Sequence, residues 1–300
     1  MKKKEKGLNA LPAVPNVVLN IVLAVFCLMC ILPFLFIIII SFTDESVLLN
    51  GYSFWPAKWS LEGYRYVLKS GKMIINAFGV SVFLVVVGTV LGLAVTSMYA
   101  YILFRKDYKF RKFFNWLSFI TMIFSAGLVP TYVIFVQMLH LKNSLWAIIF
   151  PQLCTPFNII ILKTFYTMSI PTALIESASI DGSSEFRTFL RIVLPISLPG
   201  LATIALFYTL GYWNEWYNAL LYIDETTKIP LQYLLMKIQS NINYLSTNLS
   251  EQGNAELLRN MPSESARMVL VVIIVLPIAC AYPFFQKYFV SGLTVGSVKG

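Results

Sequence analysis

The chain has 300 residues, 58% of them apolar and only 12% charged, with 23 Phe, 16 Tyr and 6 Trp, and its mean hydropathy is +0.73. That is more apolar surface than one hydrated globule can hide, so a water-soluble domain is excluded and lipid must cover part of the chain. The net charge of +9 is not a nucleic-acid footprint, because the cations flank apolar runs and do not gather on a wetted domain.

Read in chain order, Lys2, Lys3, Lys4 and Lys6 precede an apolar run at 17–42. It is too long and too rich in large residues for a cleaved secretory signal, and reads as a retained first span. Cys27 and Cys30 lie inside it, and Cys154 and Cys280 also fall in apolar stretches. All four are expected as small buried apolar residues, not as a redox motif or disulfide set. A hydrocarbon core about 30 Å thick needs roughly 20 helical residues, and five further segments qualify, at 75–104, 113–138, 144–166, 199–222 and 268–289. Pro33, Pro130, Pro151, Pro156, Pro277 and Pro283 fall inside these spans, where each removes a backbone donor and can kink its helix. In the second span Gly88-x-x-x-Gly92 provides a small face that another helix can approach closely.

The connections are uneven: 43–74 and 223–267 are long, and 139–143 is a tight link. Tyr233 to Ile242, followed by Asn243, Asn248, Ser250 and Gly253, predicts a short amphipathic helix and a polar loop. That segment either caps the bundle or receives an extracytoplasmic partner. Asn248-Leu249-Ser250 matches a glycosylation acceptor, which has meaning only in a compartment with that machinery. His140 is the one histidine, and no metal site is expected.

Six crossings put the N terminus (1–16), the 105–112 loop, the 167–198 loop and the C-terminal tail (290–300) on one side. With Lys163 counted there, that side holds 14 basic and five acidic residues, against nine basic and eight acidic on the other, and Glu215 lies between them. Basic residues accumulate on the cytoplasmic side, so both termini are expected there. The 17–289 region is then one six-span, all-α polytopic membrane domain, with 167–198 as a cytoplasmic loop and 223–267 external.

The cytoplasmic loop from Ser169 to Gly182 reads as a short helix, with Ser169 as its cap, Pro171 in its first turn and Gly182 in the left-handed conformation common after a helix end. A second short helix runs through Phe186, Phe189, Leu190 and Ile192. Such an amphipathic elbow either presents a face to a soluble partner or packs at the interface. In the fifth span, Tyr212, Trp213, Asn214, Glu215 and Trp216 form an unusually polar and aromatic cluster. An ionised Glu215 facing hydrocarbon would be costly, so it must face the bundle interior, a wet cavity or a polar partner. The rings form an interfacial belt, or they stack on sugar faces while Asn and Glu satisfy hydroxyls.

Glu176-Ser-Ala-Ser-Ile-Asp181-Gly182, followed by Leu194-Pro195-Ile-Ser-Leu-Pro199, resembles the EAA motif of the inner-membrane permease subunits of binding-protein-dependent ABC importers. The six spans, Trp213-Asn214-Glu215-Trp216 in span five and the glycine-rich end from Gly292 to Gly300 are similar to the MalG-like branch of carbohydrate permeases. They also resemble its LplC/YtcP-type subgroup, associated with complex or uronate-bearing saccharides. The resemblance implies a type I ABC importer permease fold in a prokaryotic cytoplasmic membrane. It further implies that 169–195 is a coupling helix seated on a cytoplasmic nucleotide-binding subunit, with Glu176, Ala178, Asp181 and Gly182 matching the motif and Ser177 replacing its usual second alanine.

The implied partners are a second permease, two nucleotide-binding subunits, an extracytoplasmic solute-binding protein and a carbohydrate; nucleic acid is not among them. Tyr212, Asn214, Glu215 and Trp216 are the candidate substrate pathway. ATP and Mg are expected on the partner subunits and no cofactor on this chain, which carries no G-x-x-x-x-G-K-[ST] phosphate loop and is expected to be no enzyme by itself. Two other classes stay open on the residues alone: a secondary transporter using Glu215 as a proton-linked group, and a nonconducting membrane scaffold.

Overall fold

The computed structural model describes residues 13–48, 50–69, 71–251 and 264–296, and these are almost entirely helical. The chain divides into two compact units, Met1–Lys69 with Ile242–Ile273, and Ser70–Asn241 with Ile274–Gly300.

Three helices, Ala13–Ser41, Gly71–Phe104 and Glu264–Gly296, are each long and apolar enough to cross a membrane. The other three expected spans are broken. Arg111–Ile123 and Leu128–Met138 meet at 113°, Trp146–Leu153 and Pro156–Ser169 at 45°, and Leu198–Trp213 is entered at 83° by Glu185–Ile196 and continued after a short gap by Tyr217–Tyr222.

Only the fourth span breaks directly before a proline, Pro156; the other breaks do not fall where the prolines alone would put them. Pro33, Pro277 and Pro283 stay inside continuous helices. Pro130 is the third residue of the helix that follows Gly127, and Pro156 is the first residue of its own. A helix leaves its first four N–H groups unpaired in any case, so a proline there sacrifices nothing. The third span turns instead at 124–127, where Gly127 has φ of 83°, a conformation that glycine adopts without a Cβ penalty.

Within the larger unit, the second span is the central element. It runs antiparallel to the fifth, with Asn76 Nδ2 donating to Thr227 O at 2.6 Å near one end and Thr96 Oγ1 meeting Tyr208 OH at 2.7 Å near the other. The small face predicted at Gly88 and Gly92 is where the two helices close, and tyrosine rings fill it. A Cβ on Gly92 would lie 2.9 Å from the Tyr208 ring, and one on Gly88 would collide with the ring of Tyr212. The two rings are stacked with centroids 6.2 Å apart.

The third span starts beside the second, where Ser118 Oγ and Phe114 O bond Tyr99 OH, and ends beside the last turn of the fifth, where Tyr132 and Phe135 stack on Tyr222. It therefore traverses the bundle despite its bend. The tight link after it clamps the same place: Asn143, at a positive φ of 59° that asparagine tolerates, accepts from the N–H of Asp224 at 2.6 Å and of Glu225 at 3.2 Å.

In the smaller unit, the buried Glu45 carboxylate accepts from Glu264 N at 3.0 Å, Ser265 N at 3.1 Å and Ser265 Oγ at 2.9 Å. It caps the start of the last long helix across more than 200 residues of sequence.

Two expectations change. The four cysteines, expected to be buried, are all exposed: Cys27, Cys30 and Cys280 lie on long apolar helices, and Cys154 lies at the break of the fourth span. The expected short helix after 231 is a 21-residue one, Leu231–Glu251. Its first turns pack inward through the buried Tyr233 and Leu234, and Leu231 N donates to Ser81 Oγ at 2.8 Å. The polar stretch 252–263, the glycine-rich end beyond 296 and the N-terminal lysines lie outside the described residues.

Candidate coupling elbow and pathway site

The elbow is built from two helical arms. Pro156–Ser169 runs one turn further than expected and absorbs Ser169, so that residue is not the cap. Ile170 and Pro171 are extended, and the first arm, Thr172–Ile180, starts after Pro171 with no side-chain cap. Its far end is a Schellman closure: Ser183 N donates to Ala178 O at 2.9 Å and Gly182 N to Ser179 O at 3.1 Å, with Gly182 at φ of +75°. Gly182 thus supplies the one conformation that lets the chain reverse here.

The second arm starts at Glu185, with Ser184 Oγ accepting from Arg187 N, and continues through a π-helical turn at Phe189–Val193. Ile175 and Ala178 are buried against the protein, whereas Ile180 is 85% exposed and Phe186 65% exposed. Glu176, Ser177, Asp181 and Gly182 are exposed as well. The elbow therefore presents Ile180, Phe186, Glu176 and Asp181 on its outer surface, and among the described residues neither Glu176 nor Asp181 is in an ion pair.

The polar cluster of the fifth span sits where that helix breaks, between Trp213 and Tyr217. The four candidate residues divide into two kinds. Tyr212 is fully buried, its ring against Gly88 and its hydroxyl donating to Ile149 O at 3.0 Å. Glu215 is buried too: it accepts from Gln152 Nε2, from Asn218 N at 2.8 Å and from Asn218 Nδ2 at 3.0 Å. Its carboxylate thus ties the start of Tyr217–Tyr222 to the fourth span. Asn214 and Trp216 are exposed. The neighbouring Trp213 donates its indole N–H to Ile274 O at 3.2 Å.

Sequence reasoning missed Gln152, which contacts Glu215 and whose side-chain oxygen would lie 2.8 Å from a Cβ on Gly211. Its signal was present as the one amide between Trp146 and Phe157, next to Pro151. Through it the breaks of spans four and five meet. Among the described residues, no group of three or more His, Cys, Asp or Glu side chains could hold a metal ion.

Six apolar segments, three of them broken, with the buried Glu215 hydrogen-bonded inside the bundle and an exposed helical elbow between spans four and five, make this a polytopic helical membrane protein. The chain belongs to the family of binding-protein-dependent transport system inner membrane components, whose model matches residues 104–295. It is 40% identical over 279 residues to the polygalacturonan/rhamnogalacturonan transport system permease protein YtcP of Bacillus subtilis (strain 168), covering 93% of this chain and 96% of that one. It is 41% identical over 271 residues to the protein LplC of the same organism, covering 90% of each. A chain from the crystal structure of a bacterial ABC transporter involved in the import of the acidic polysaccharide alginate superposes with a TM-score of 0.78 at 27% identity, covering 92% of this chain and 96% of that one. The importer-permease fold expected from the resemblance is borne out, and the chain is a permease subunit of an ABC importer.

Proposed function

We propose that this chain is one of two permease subunits of an ATP-driven, binding-protein-dependent importer in a prokaryotic cytoplasmic membrane, with both termini cytoplasmic. Its cargo is an oligosaccharide bearing uronate groups. The single observation that carries this reading is the near full-length similarity to a permease named for polygalacturonan and rhamnogalacturonan transport. The alginate importer chain, named for another acidic polysaccharide, supports the same cargo chemistry. A solute-binding protein delivers the saccharide at the outer face, two nucleotide-binding subunits hold ATP and Mg, and the two permeases form the pathway between them.

The coupling surface in this reading is Glu176, Ser177, Ala178, Asp181 and Gly182. The exposed Ile180 and the unpaired carboxylates are the groups offered to the nucleotide-binding subunit, and Gly182 fixes the angle between the arms. In the pathway, Asn214 and Trp216 are available for hydroxyl bonding and ring stacking, while Tyr212 and Glu215 support them from behind.

The test is purification with neighbouring gene products, followed by transport in vesicles with and without ATP, using uronate-bearing and neutral oligosaccharides. The expected result is recovery of a second permease and the nucleotide-binding subunits, with ATP-dependent uptake of the acidic sugars. Uptake without those subunits would make the chain a secondary carrier, and assembly without uptake would make it a scaffold. Gly182→Val, which forces a Cβ into a positive φ, should insert in the membrane and lose saccharide-stimulated ATP hydrolysis. Normal uptake by separate Asn214→Ala and Trp216→Ala variants would remove both from the pathway.

A further inference from the structure

The two arms of the elbow are attached to the protein differently. The first arm is held by apolar contact through Ile175 and Ala178. The second is bolted to the end of the second span by a charged node. Glu185 Oε2 accepts from Tyr101 OH at 2.7 Å and from Arg105 Nη1 at 2.9 Å. Arg105 uses its other edge on Asp107, Nε to Oδ1 at 2.8 Å and Nη2 to Oδ2 at 2.6 Å. One planar guanidinium thus bridges two carboxylates, the geometry that arginine alone among side chains supplies. The Tyr101 ring, itself buried, packs on Phe189 of the second arm with centroids 5.2 Å apart.

The surroundings of the node are open. A cavity of about 430 Å³ separates Arg105 and Asp107 from the first arm at Ile175, Glu176 and Ser179, and one of about 290 Å³ adjoins Glu185, Tyr101 and Tyr108. Space thus lies between the first arm and the 105–111 turn, whereas the second arm is linked directly to the second span through the node. The second span in turn is closed on the fifth by the Tyr208 and Tyr212 rings at Gly92 and Gly88, next to the break at Glu215.

The Glu185 side chain is 62% exposed, so in water the pair contributes little to stability. Its weight is directional: it fixes which element follows the elbow. We infer that Glu185, Tyr101 and Arg105 form the joint through which motion of the elbow is passed to the second span, with Glu185 and Arg105 as positioning residues for coupling. This rests on the coupling reading of the elbow proposed above.

The experiment uses the whole importer, reconstituted in lipid nanodiscs with its companion permease, nucleotide-binding subunits and saccharide-loaded binding protein, and reads the ratio of stimulated to basal ATP hydrolysis. Glu185→Ala should lower that ratio about threefold or more, with the nucleotide-binding subunits still co-purifying. Glu185→Gln, whose amide oxygen still accepts from Tyr101 and Arg105, should restore most of it. A wild-type ratio for Glu185→Ala in an intact complex overturns the inference, as does a loss that Glu185→Gln fails to restore.

Should Glu185→Ala fail to assemble, Tyr101→Phe decides, because it keeps the ring on Phe189 and removes only the hydroxyl. A lowered ratio supports the joint and an unchanged one rejects it. Gly182→Val separates this failure from that of the underlying reading. If Gly182→Val uncouples and the node variants do not, only the joint is wrong; if neither uncouples, the elbow is not the coupling element.

Discussion

At Gly88 and Gly92 the absence of a side chain sets a helix separation, because the rings of Tyr212 and Tyr208 occupy the space a Cβ would need. Gly88→Ala should therefore destabilise the protein by about 1–3 kcal/mol through overpacking, Gly92→Ala by less, since its Cβ would meet the ring at a longer distance. Gly79, in the same helix but with nothing within 4 Å of its Cβ, should accept alanine at no cost and gain some helix propensity. Thermal unfolding of the three variants in detergent checks the order. The spacing of the glycines was legible in the sequence as a close approach. That tyrosines of the fifth span fill it was not, because which residue faces which across two apolar helices depends on their register. Glu215 was legible for a similar reason, as a carboxylate that hydrocarbon cannot tolerate; its partner Gln152 lies 63 residues away, and nothing local points from one to the other.

Among elements, the last long helix shows how a helix start can depend on distant chain. Glu45 satisfies two of its backbone N–H groups and the Ser265 hydroxyl. Glu45→Ala should cost about 1–2 kcal/mol, seen as a lower unfolding temperature, and Glu45→Gln should recover part of it because its amide oxygen still accepts. The position of the last helix was readable from hydropathy alone, whereas its cap was not, since a cap nearly the whole chain away leaves no local pattern. The third span shows the opposite limit. Its apolar length was plain, and Pro130 looked like the interruption, yet the turn belongs to Gly127 three residues earlier. Proline marks where a helix can begin as readily as where it must end.

On the scale of the whole molecule, each unit carries a carboxylate pinned by a cation. Lys58 and Ser46 hold the Asp44 carboxyl below its ordinary range, and the Arg105 guanidinium does the same for Asp107. A depressed carboxylate contributes fully above its unfolded value and loses that contribution as pH falls through its folded one. Both pins thus hold through neutrality and fail only below about pH 4. The ratio of stimulated to basal ATP hydrolysis should be flat from about pH 6 to pH 8 in the reconstituted importer. A titration within that window would place a coupling group elsewhere. Six apolar segments and the exposed elbow were both evident from composition, charge asymmetry and one short motif. The division of spans into continuous and broken ones was not, because hydropathy sums over a segment and does not record its direction.

The bent third span also bears on how the protein is made. Its first half, Arg111–Ile123, has 13 residues, about 20 Å of helix, too short to cross a hydrocarbon core of about 30 Å. Its second half is finished by Tyr132 and Phe135 resting on Tyr222, a ring that the ribosome adds 87 residues after Phe135. The third segment is therefore synthesised well before the surface it docks on. A chain halted before the fifth segment emerges would lack the ring on which Tyr132 and Phe135 rest, so biogenesis here is a matter of timing as well as of hydrophobicity.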